Sequence, residues 1–148
     1  MLRGDRGSIT VYTAVFTIVV IFLLGLIVDG GIAMNARERA ADIAAQAARA
    51  ASDDIDLAAL RGGVVRMAPG ACGAANTLVD TYARADAGGT NRVMNVTDTC
   101  VHKSPTIARV TVTVIAQTLV PGRPGPFTES ATQTATVQCG TIQGATCP

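Results

Sequence analysis

The residues most able to do chemistry are four cysteines, Cys72, Cys100, Cys139 and Cys147, separated by 28, 39 and 8 positions. None of them forms a Cys-x-x-Cys pair, so the spacing does not suit zinc. An even number of thiols, all downstream of a long apolar stretch, predicts two disulfides made in an oxidising compartment. Three connectivities are open; Cys72 with Cys100 and Cys139 with Cys147 asks for the least rearrangement along the chain. His102 is the sole histidine and sits beside Lys103 and Ser104 in a turn-like stretch, with no nucleophile-elbow or metal-ligand pattern nearby. These residues predict no catalytic group, no metal and no cofactor, and the chain is expected not to be an enzyme.

Two bulk properties narrow the partners. The formal net charge is +1 and only 16% of residues are charged, too little basic surface to hold nucleic acid. Aromatics make up 3% of the chain and Trp is absent, so the core must be built from small side chains. No small-molecule substrate is expected.

The elements that carry these residues begin with one oily segment. Between Ile9 and Val28, fourteen of twenty residues are Ile, Leu, Val or Phe, and a helix of about 20 such residues crosses a hydrocarbon layer of roughly 30 Å. A cleavable secretory signal would have an apolar region of only about 7 to 15 residues. Arg3 and Arg6 precede the segment and the acid Asp29 is the first charge after it, which predicts an N-terminus held in the cytoplasm and an exported remainder. Thr10, Thr13 and Thr17 recur at helical spacing, and their hydroxyls are expected to bond carbonyls of their own helix. Asp29 is read as an acid placed where water begins, with pairing to a partner's base as the alternative. Gly30 and Gly31 are expected to interrupt the helix there.

From Ile32 to Ala51 helical periodicity resumes, with Ala36, Ala40, Ile43, Ala44, Ala47 and Ala51 on one face. That narrow seam is expected to pack within the molecule. Ser52 reads as the N-cap of a short helix closed by Gly62 and Gly63, and Val64 to Met67 as a short strand. Ala74 to Ala85 places Leu78, Val79 and Tyr82 on one helical face. The period then changes to two: Arg92 to Val101, the run Val110, Val112 and Val114, and Phe127 to Cys139 are strands, with Cys139 facing the core. The Pro/Gly-rich segment 121–126 separates the last two.

The predicted class is therefore α+β. Residues 1–8 form a cytoplasmic N-terminus, 9–28 a transmembrane helix and 29–61 an Ala-rich helical stem. Residues 62–148 form an exported, disulfide-stabilised domain with a helix packed on a short antiparallel sheet.

Three stretches, Asp5-Arg-Gly-Ser-Ile-Thr10, Val28-Asp-Gly-Gly31 and the Ala-rich run from Ala36 to Arg49, together with the apolar helix, resemble the TadE/TadG-like family of tight-adherence (Flp) pilus assembly proteins. These are pseudopilin-like membrane proteins of bacteria. The resemblance covers roughly the first third of the chain. It implies a single-pass protein of the bacterial cytoplasmic membrane, or a subunit of a surface filament, whose partners are lipid and other pilin-like or pilus-assembly subunits. It also implies processing after Gly7 to leave Ser8 as the new N-terminus, and helix packing through Tyr12, Gly25, Asp29, Gly30 and Gly31. In pilin-like proteins the fifth mature residue is commonly Glu, whose carboxylate neutralises a neighbour's new ammonium. Tyr12 stands there in this chain, and a phenol brings no charge at neutral pH.

Overall fold

The computed structural model describes residues 6–87, 93–116 and 126–138 of the 148-residue chain. It opens with α1, Arg6–Asp53, a single helix of 48 residues. At 1.5 Å per residue it is about 72 Å long. Gly30 and Gly31 lie inside it, so the expected interruption is not there. Each glycine costs about 1 kcal/mol relative to Ala, but helix formation is cooperative and long helical runs flank the pair on both sides. A Cβ built on either glycine would meet nothing within 4 Å, so no close approach of another element requires them.

After α1 comes a short looped segment carrying α2, Leu57–Arg61. Its N-cap is Asp56, whose carboxylate accepts from the backbone N–H groups of Ala58 and Ala59 at 3.0 and 3.1 Å. The expected cap, Ser52, is still inside α1 and donates its hydroxyl to the Arg49 carbonyl. Ser52 lost the competition because a serine in a helix's last turn satisfies itself on the preceding turn. Gly62 closes α2 as expected, and Gly63 follows with φ 80°, a backbone shape that favours glycine. Between Val64 and Met67 the expected strand reduces to an isolated antiparallel bridge between Ile55 and Met67.

The third helix, α3, spans Ala71–Ala87 and starts one turn earlier than its apolar face alone indicates. Val79 is buried, and Leu78 and Tyr82 pack partly buried against the core, on the face the periodicity predicted. The sheet is an antiparallel meander of β1, Val93–Ser104, β2, Ile107–Ala116, and β3, Phe127–Thr136, in the order β1-β2-β3. In the central strand Ala108, Val110, Val112, Val114 and Ala116 are all buried while the intervening residues are not, which is the two-residue period of a sheet with one covered face. On β3, Thr132, Thr134 and Thr136 are exposed and Ala131 and Ala135 pack toward the core. Cys139, Cys147 and nearly all of the 121–126 loop fall outside the described residues.

Both helices lie against the covered face: the C-terminal half of α1 contacts β3, β2 and α3, and α3 also contacts β1. Among the described residues, ten of the eighteen buried apolar ones are alanine. The seam Ala36, Ala40, Ala44, Ala47, Ala48 and Ala51 therefore packs inside the molecule, where side chains of one carbon let a helix sit close on a valine-faced sheet. The Tyr82 hydroxyl ties α3 to α1 by donating to Gln46 Oε1 at 2.6 Å. The expected α+β architecture, a long N-terminal helix with a small helix-and-sheet domain, is borne out.

Candidate assembly interface

One helix carries two different surfaces. Over its first part, Ile9 to Val28, nearly every large apolar side chain lies bare, at 49 to 72% exposure. The most apolar stretch of α1 reaches a mean hydropathy of 2.8, and none of it is covered by the rest of the chain. Leaving so many Ile, Leu and Phe side chains in water would cost about 1.5–3 kcal/mol each relative to burial. The segment therefore calls for lipid or other helices around it. Two of its hydroxyls are satisfied on their own helix: Thr13 donates to the Ile9 carbonyl at 2.9 Å and Thr17 to the Thr13 carbonyl at 2.8 Å, as suits a helix in an apolar medium.

The predicted packing residues fall along this helix rather than around one point. Gly7 and Ser8 are in its first turn. Tyr12 is exposed and stacks on Phe16 one turn later, with ring centroids 6.2 Å apart. Gly25 is half-buried, and Gly30 and Gly31 are exposed. Asp29 corrects the sequence reading: it is 3% exposed rather than sitting where water begins, and it takes part in a polar or electrostatic contact. It lies one turn before Ile32, which packs partly buried against the core. Sequence alone offers no signal for this burial, since an acid at the end of an apolar run reads the same whether or not a domain folds back over it.

Above that level, the domain is stapled by a disulfide between Cys72, in the first turn of α3, and Cys100 on β1, with Cα atoms 5.6 Å apart. This is the pairing that asks for the least rearrangement of the chain. Cys139 and Cys147 lie outside the described residues. Among the described residues no three His, Cys, Asp or Glu side chains gather to hold a metal. A groove of about 520 Å³ runs between the end of α1 and the end of β3, lined by Ala45, Ala48, Arg49 and Asp53 on one side and Gln133 to Gln138 on the other. Sequence reasoning missed it because it exists only through the packing of two elements 80 residues apart.

A long apolar helix that continues without a break into the core of a small α+β domain is compatible with a single pass through a membrane. Residues 7–54 match the family model described as "Putative Flp pilus-assembly TadE/G-like", which bears out the resemblance read from the sequence and supports a role in pilus assembly. The match covers α1 and almost nothing beyond it. No curated protein and no solved structure matches the chain.

Proposed function

We propose that this chain is a pseudopilin-like structural component of a tight-adherence pilus or a related export system, held in the bacterial cytoplasmic membrane by α1 with its N-terminus inside. The observation that carries this reading is the bare apolar half of α1, Ile9 to Val28, continuous with a half whose alanine face is buried in its own domain. A subunit that is first stored in lipid and then packed among like helices needs that division of one helix. The family match falls on the same helix. In this role the exported domain makes contacts with other pilus subunits, and the chain does no catalysis.

One residue favours a second reading. Tyr12 occupies the place where a pilin-like protein commonly has a carboxylate, and its ring stacks on Phe16. A permanently anchored exported module, never cut and never polymerised, has no need of that charge. Intact-mass measurement on protein purified from its own cells separates the two. A mature chain beginning at Ser8, together with its presence in sheared filaments, is the expected result. A chain that keeps its first residues and stays in the membrane fraction refutes the pseudopilin reading in favour of the anchored module.

A further inference from the structure

The segment between α1 and α3 is built to hold one turn of helix outward. Asp56 caps α2 and also receives the Arg66 guanidinium through both Nε and Nη2, at 3.0 and 2.7 Å. Around this pair the backbone is laced together by Asp56 N–H to the Arg66 carbonyl, Ala68 N–H to the Asp54 carbonyl and Met67 N–H to the Pro105 carbonyl, all at 2.8 to 3.0 Å. Yet α2 itself buries no residue. Leu57 is 64% exposed, Leu60 39% and Val64 36%. Leu57, Leu60 and Arg61 follow helical spacing along one face, and the Val64 backbone is tied to the same turn by its N–H on the Ala59 carbonyl at 3.0 Å. Rigid loops that present apolar side chains to water mark contact sites.

The position and charge of this patch decide what can cover it. Residues 29–53 of α1 lift it about 37 Å beyond the apolar segment, so on the functional reading above, lipid does not reach it. Arg61 is exposed and forms no ion pair among the described residues. The Asp56 charge is taken up by Arg66, and Asp53 faces the groove at β3. A second copy meeting the patch face to face would set Arg61 against Arg61, a like-charge contact that disfavours a two-fold symmetric pair. We propose that Leu57, Leu60, Arg61 and Val64 form a docking knob for a different subunit of the pilus machinery, one offering an apolar pocket with an acidic rim. This proposal rests on the pilus reading for its choice of partner.

The test places a photo-crosslinking amino acid at position 57 of the full-length chain in its own cells, with a second probe at Thr132 on the exposed sheet face as reference. The expected product is an adduct at position 57 with another pilus-assembly subunit, reduced at least tenfold by Arg61→Glu and absent from the Thr132 probe. The Cys72–Cys100 bridge, mapped by non-reducing peptide analysis, reports that each variant still folds. An adduct of two copies of this chain, a lipid adduct, an adduct indifferent to Arg61→Glu, or none overturns the docking knob. An Arg61-dependent adduct with a protein from outside the pilus machinery overturns the pilus reading and leaves the knob standing.

Discussion

Removing the Cys72–Cys100 cross-link should cost this domain much of its stability, and the size of the loss follows from the chain between the two sulfurs. The bridge closes a loop of 28 residues. In the chain-entropy model, a closed loop of that length restricts the unfolded ensemble by about 3.6 kcal/mol at 25 °C, a change of several hundredfold in the folding equilibrium. Small domains have total stabilities of about 5–15 kcal/mol, and a core whose buried apolar residues are mostly alanine and valine offers little to compensate. Both cysteines are half-buried, so the space left by Cys72→Ala with Cys100→Ala adds less than the lost constraint does.

The assay is urea denaturation of the full chain in mild detergent, followed by hydrogen exchange of the 107–116 peptide. That peptide is β2, paired on both sides, and it exchanges only when the sheet opens. With urea slopes of about 1–3 kcal/mol per molar, the opening midpoint of the double variant should fall by about 1.2–3.6 M. A fall equivalent to less than about 1 kcal/mol would refute the reasoning, because it would mean either that the loop is already restricted in the unfolded chain or that α3 and β1 are not held by this bridge.

Two further outcomes are expected. Ala44→Leu, which forces three extra carbons into a fully buried contact between α1 and the sheet, should destabilise the domain by about 1–3 kcal/mol or more, whereas Glu38→Leu on the exposed side of the same helix should change the β2 opening midpoint little; equal effects would contradict the packing of the seam. Asp56 is held below its ordinary value of 3.8, first by the Ala59 N–H and then by the Arg66 guanidinium. A depressed carboxylate contributes stability that is present above 3.8 and lost as the pH falls through its lower folded value, so the Ala58 and Ala59 amides should exchange faster below that point in the native chain and show no such step in Asp56→Asn.

The parts of the fold legible in the sequence were those written as a period. Val110, Val112 and Val114 alternate with Thr111 and Thr113, and the structure buries the valines. The alanines from Ala36 to Ala51 recur at helical spacing, and they are the face that packs. What was misread turned on competition between neighbours. Ser52 and Asp56 are both good caps, and only the end of α1 at Asp53 decides between them. Gly30 and Gly31 are poor helix formers, yet the helices on either side outvote them. The burial of Asp29 and the outward face of α2 depend on elements distant in sequence, so no local pattern could announce them.

The change in side-chain size along α1 says more about how this protein works than the two glycines do. Up to Val28 the helix displays large branched and aromatic groups; from Ala36 onward its packed face is alanine, relieved by Ile43 and, in the last turn, Ser52. Large groups suit a surface that must fill the irregular space among lipid tails or neighbouring helices, while single methyl groups suit one that must lie close to a fixed sheet. The helix runs unbroken through the change. On the proposed function, any shift or turn of the apolar half during assembly would be carried, along about 37 Å of helix, to α2 and its exposed leucines.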